Sequence, residues 1–263
     1  MSLEWRDTAS TASPLAPGGI VLSSFPSAGL AATVAGHYIV KSLKLPRIGV
    51  FDGSDSQPIA VVQDGQVHPP IRVYGRSDLA VVLSELPVPP DLAFVAAQAI
   101  LRGAEQRMAR WVIGLEGVMP HPVEAESSTP GATPAADETV WVATSQENAS
   151  FAAELKKANA RRLEDGVIGG LSGALLIEGI ARATPVAVLL VSAVTAAEGF
   201  PDHRAGAALI ETLDRLLPEL KIDTGPLRTQ AESIEKALRA AMRARKHAVP
   251  ELSTEPAQPT IYG

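Results

Sequence analysis

The residues able to do chemistry in this chain are few and scattered. Its five histidines stand at positions 37, 68, 121, 203 and 247, with no His-x-x-x-His pair, and those three or four residues from a carboxylate (Asp64/His68, His121/Glu124, His247/Glu251) fall in turn or Pro-containing stretches and not on one helix face. Cysteine is absent, which removes disulfides, thiolate nucleophiles and zinc ribbons together. The stretch GVIGGLSGALL, residues 166–176, is rich in glycine and opens an apolar helical pattern. Backbone N–H groups at such a start can hold a phosphate. The Lys-Ser/Thr pair of a phosphate-binding P-loop is missing, however, so glycine used for a tight turn and close helix packing is the competing reading. Ser172 lacks the glycines on both sides that a nucleophile elbow requires, since Gly170 precedes it by two positions but Ala174 stands two positions after. Asp202, His203 and Arg204 form a polar triplet directly after Phe200 and Pro201, where N-capping and catalysis are both open and the Pro-Asp placement favours the cap.

The other chemically distinctive stretch is the end of the sequence, EPAQPTIYG. A solvated linker has no use for Ile261 and Tyr262, yet these residues and Gly263 close it. Tyrosine offers a large apolar face with a polar tip, and isoleucine an apolar contact.

The elements that would position these groups follow from composition. The chain has 263 residues, 46% hydrophobic and 20% charged, enough for a substantial core. Its formal charge of -6 argues against a general nucleic-acid or anionic-membrane binder. The longest uncharged apolar stretch, 183–197, is bounded by Arg182 and Glu198 and falls short of the roughly 20 residues a bilayer requires. With no signal peptide legible, a cytoplasmic protein is expected.

Alternating signals fill the middle of the chain. Continuous Val, Ile and Leu runs such as GGIVLSSF, DLAVVLSEL, WVIGLEGV and PVAVLLVSA predict strands covered on both faces, with helical patterns between them. The class is α/β, layered around a central sheet. Asp64-Gly65 between apolar runs predicts a hairpin. Residues 1–17 read as a disordered leader, with order beginning near Gly19. Residues 119–138, with four prolines and four acids but no Lys or Arg, read as a surface loop joining two strands that must stay paired. From 227 to 247 a helix carries Leu227, Ala231, Ile234, Leu238 and Ala241 at the spacing of a coiled-coil seam, able to pack on its own domain or on another subunit. A flexible tail, 248–263, follows.

The set SSFPSAGLAATVAGHYIV, PIRVY, EDGVIGGLSGALL, FPDHRAGAALIETL and IDTGPL resembles the proteasome assembly chaperone family, in particular its archaeal and bacterial stand-alone members, with order and spacing matching from about Gly18 to Ala237. The resemblance implies a three-layer, phosphorylase/hydrolase-like core over residues 18–226, homo-oligomers, no cofactor, and a non-enzymatic role in assembling proteasome α subunits or binding the finished α ring. It also gives the tail a partner: Ile261, Tyr262 and Gly263 fit a hydrophobic-Tyr-any tripeptide that inserts between α subunits. The rival reading is an enzyme of the same fold class using the loop 166–173 with Asp202 and His203 for a small molecule.

Overall fold

The computed structural model describes residues 3–8, 15–53, 58–63, 65–119, 138–146, 149–193 and 201–248. The strongest β-formers sit at its centre. β2 (Ile20–Ser24), β7 (Leu79–Leu83), β8 (Trp111–Val118) and β11 (Val186–Ser192) lie side by side and parallel in the order β7-β2-β8-β11, and β2 and β7 are buried along their whole length. A strand buried on both faces has no polar side to alternate with, which is why these runs are continuously apolar.

Antiparallel strands extend the sheet on both sides. β6 (Arg72–Arg76) pairs with β7, β3 (Arg47–Gly53) with β6, and β1 (Leu3–Asp7) with β3. On the other side β9 (Val140–Thr144) runs antiparallel to β11, and the two-residue β10 (Arg161–Arg162) closes the nine-stranded sheet. A separate hairpin, β4 (Val61–Gln63) with β5 (Gln66–His68), forms where the Asp64-Gly65 signal predicts one.

Helices cover both faces. α1 (Ala31–Ser42), α3 (Ala149–Lys157) and α5 (His203–Leu216) share one core, built around Leu22, Ile113, Leu189 and Ile210. On the opposite face α2 (Ala93–Gln106) and α4 (Gly170–Arg182) pack over Val21, Val82 and Val112. α6 (Gly225–Ala248) lies against α5. The result is a mixed α/β sheet between two helical layers. Among the described residues no helix is long and apolar enough to cross a membrane.

Two expectations are corrected. The leader contains β1: Trp5 is buried, tilted against Phe51 at 5.9 Å, with the Arg107 guanidinium 4.0 Å over its ring. A single Trp can outweigh the polar residues around it because an indole buries so much apolar area. The two strands that flank residues 119–138 do not pair with each other, since β11 lies between them, parallel to β8 and antiparallel to β9. Of that loop, residues 120–137 lie outside the described residues, as do 249–263 of the tail.

Candidate functional site

The carboxyl ends of the central parallel strands are where an α/β sheet ordinarily offers a ligand crevice. Here the turn after β2 fills the corner with internal hydrogen bonds. The Gly117 N–H donates to Ser27 Oγ at 2.9 Å, and the Asp202 N–H donates to the Gly29 carbonyl at 2.7 Å. Asp202 is the N-cap of α5, its Oδ1 accepting from the Ala205 N–H at 2.9 Å. His203 Nδ1 lies 2.9 Å from the Pro201 carbonyl, to which it donates. Both side chains of the rival site are thus engaged in starting a helix, the role that the Pro-Asp placement favours.

The glycine-rich loop has a structural account of its own. Gly170 adopts a left-handed φ of +59°, and a Cβ on Gly173 would stand 2.3 Å from the Ile168 carbonyl oxygen. One glycine makes the turn and the other permits the close approach. Ser172 is buried and donates to Glu116 Oε2 of β8 at 2.6 Å. Burial raises the Glu116 pKa above the ordinary carboxylate value, and the Ser172 hydrogen bond opposes that shift in part. Nothing in the sequence singles out Glu116, the lone acid of an apolar strand.

These two groups belong to different helical layers. Neighbouring residues of a strand point to opposite faces, so Glu116 meets α4 while Gly117 faces Ala28 and α1. The loop and Ser172 belong to the α2/α4 layer, whereas Asp202 and His203 top α5 in the other layer. They approach the carboxyl ends of the strands from opposite faces of the sheet. Among the described residues no group of three or more His, Asp or Glu is placed to hold a metal ion.

The other candidate, the C-terminal tripeptide, lies beyond α6, and the structure describes the base of that helix. Leu227 and Ala231, the first two seam positions, are buried on the chain's own body, Leu227 in the α1/α3/α5 core. Beside them Arg228 donates through Nε to Glu211 Oε1 at 2.7 Å and through Nη2 to Glu138 Oε2 at 2.9 Å. Thr224 Oγ1 also donates to Glu211, at 2.7 Å, and Arg204 Nε stands 3.8 Å from Glu138. The hydrogen bond from Arg228 is the main reason that the Glu211 pKa is lowered, with burial opposing it. Farther along α6, Lys236, Ala237 and Ala240 are exposed. Ile261, Tyr262 and Gly263 themselves lie outside the described residues.

Residues 21–242 match the model of the PAC2 family. The chain belongs to the PAC2 family. Among its relatives, the Uncharacterized protein MJ0106 of Methanocaldococcus jannaschii is 27% identical over 220 residues, spanning 84% of both chains. The crystal structure of Pyrococcus furiosus PbaA, an archaeal homolog of proteasome-assembly chaperone, superposes with a TM-score of 0.74 at 26% identity, covering 93% of this PAC2 chain and 94% of PbaA. Pyrococcus furiosus PbaB, an archaeal proteasome activator, shares the fold with a TM-score of 0.71 at 20% identity, covering 91% and 99% of the two chains.

Proposed function

We propose that this PAC2 protein is a non-enzymatic, cytoplasmic proteasome assembly chaperone or proteasome-binding adaptor, a homo-oligomer that docks on the α ring through Ile261, Tyr262 and Gly263. The observation that carries the reading is the likeness to PbaA over nearly the whole of both chains. The mounting of α6 supports the docking part. From Ala231, buried on the body, to Ala248 the helix rises about 26 Å. The 15 residues beyond it reach at most roughly 50 Å when extended. Docking residues on such an arm sample space well outside the body, and several arms on one oligomer raise apparent affinity by effective concentration.

The test is co-purification with proteasome α rings from native lysate. The full chain is expected to retain them, while Tyr262→Ala and a chain lacking 261–263 release them, with oligomer size by light scattering unchanged. Retention by both variants at wild-type level sinks the docking role, and a monomer at micromolar concentration sinks the oligomer.

A further inference from the structure

We propose that the outer face of α4 is where two copies of this chain join, helix against antiparallel helix about a two-fold axis. Every exposed residue of α4, Gly170, Ile177, Ile180 and Ala181, lacks a polar side chain. Ile177 and Ile180 are 55% and 64% exposed, and Val167, in the turn just before the helix, is 99% exposed. The polar residues of α4 are all used within the chain. Ser172 donates to Glu116, Glu178 accepts from Gln98 Nε2 of α2 at 2.9 Å, and Arg182 pairs with Glu178 at 3.1 Å and with Glu105 of α2 at 3.3 Å. In the opposite layer the exposed residues of α1 are His37, Lys41 and Ser42, the pattern of a helix that meets water. A helix that spends its polar residues on its own domain and turns only apolar ones outward is built to be covered on that side too.

Permanence, charge and shape all point to a second copy. An apolar face is an aggregation risk for as long as it stays open, and another copy is the one partner present wherever the chain itself is made. Pairing about a two-fold axis sets a surface against itself, so a charge near the axis would face its own like. The exposed residues of α4 carry none. Shape fits as well. An axis at Leu175 brings Ile180 over Gly170 of the second copy and Val167 over its Ala183, since both pairs are centred on that residue. At Gly169 and Gly170 a Cβ would meet nothing within 4 Å, which leaves room for the incoming isoleucine. The antiparallel arrangement also opposes the two helix dipoles. α4 rises about 20 Å along this contact. Phe94 of α2, exposed on the same helical layer, widens it toward the roughly 800 Å² per partner that a stable dimer buries. The contact rests on the homo-oligomer proposed above and names the surface that makes it.

The experiment compares full-length chains by light scattering at micromolar concentration. Ile177→Glu/Ile180→Glu should lower the mass about twofold or more with the circular dichroism unchanged, because two acids on each copy would meet across the axis. Lys41→Glu, at an exposed position of α1, should keep the wild-type mass. A second readout puts no charge into the face. The chain has no cysteine, so Ile177→Cys introduces a single thiol, about 6 Å along the helix axis from its symmetry mate, and a short bismaleimide should join two chains through it. Lys41→Cys should stay uncross-linked. A monomeric wild type overturns the homo-oligomer and this contact together. An oligomeric wild type whose double variant keeps its full mass, or whose Ile177→Cys chain fails to cross-link, overturns the α4 contact and leaves the oligomer standing. A double variant of undiminished mass that loses capture of α rings also overturns it, giving the face to the proteasome instead.

Discussion

Arg228, in the first turn of α6, donates to Glu138, two residues ahead of β9, with Nη2 2.9 Å from Oε2 across 90 positions of sequence. The same guanidinium holds Glu211 of α5, so one side chain ties the base of α6 to two other parts of the fold.

Removing that side chain gives the first prediction. Arg228→Ala should destabilise the protein by about 1–2 kcal/mol, the lower part of the range for charged hydrogen bonds because the group is partly exposed. The pH dependence has a definite sign. The Glu211 pKa is depressed in the folded protein, so its ion pair contributes above the unfolded value of about 4.5 and is lost as pH falls through the folded value. Thermal melts should therefore show the variant and wild type converging in acid and separating at neutral pH. A gap that is the same at every pH refutes the assignment.

Glu116 carries the opposite sign. Its pKa is raised by burial, so the folded state disfavours the ionised form, and wild-type stability falls as pH rises from the ordinary carboxylate value through the raised one. Glu116→Gln, whose amide oxygen can still accept from Ser172, should melt with wild type in acid and a few degrees above it at alkaline pH. A variant that melts below wild type at alkaline pH contradicts this account.

The third prediction concerns the N-terminal strand. Trp5→Ala should cost about 3–5 kcal/mol, the usual range for emptying a buried Trp site, since Phe51 and Arg107 both lose their packing partner. Denaturant midpoints measure it directly, and a shift under about 1 kcal/mol would show that β1 is peripheral.

The glycine-rich loop gives the fourth. Alanine favours a helix over glycine by roughly 1 kcal/mol, yet Gly173→Ala should destabilise by about 1–3 kcal/mol because its methyl meets the Ile168 carbonyl. At Gly169 a Cβ meets nothing within 4 Å, and Ala there should change little by comparison. Equal melting temperatures for the two variants would leave the packing explanation without support.

What was legible in the sequence was local. The continuous apolar runs of β2, β7, β8 and β11 declare strands buried on two faces, and Pro201-Asp202 declares the start of α5. Ile261, Tyr262 and Gly263, expected from the sequence to dock on a partner, lie outside the described residues. What escaped reading depends on distant partners. Trp5 becomes a core residue only because Phe51, Gly49 and Gly103 come together around it, and nothing near Trp5 announces them. The Arg228 clamp joins residues far apart in the chain, and Glu116 is identified only once α4 lays Ser172 beside it. Sheet order escaped for the same reason: adjacency of β8 and β9 in sequence says nothing about a later strand inserting between them.

That insertion sets an order of events during synthesis. A nascent chain that has emerged only as far as Pro185 already contains β8 and β9, but both lack the neighbour that satisfies their facing backbone groups, because β11 begins at Val186. The half-built sheet therefore presents two open edges around a vacant slot, the exposure that invites strand pairing between chains. Closure waits for a seven-residue strand to thread between two elements made long before it. Folding should accordingly be slow for the chain's size, and a ribosome-stalled chain ending before Val186 should depend on holdase chaperones, while one extended through α5 should not.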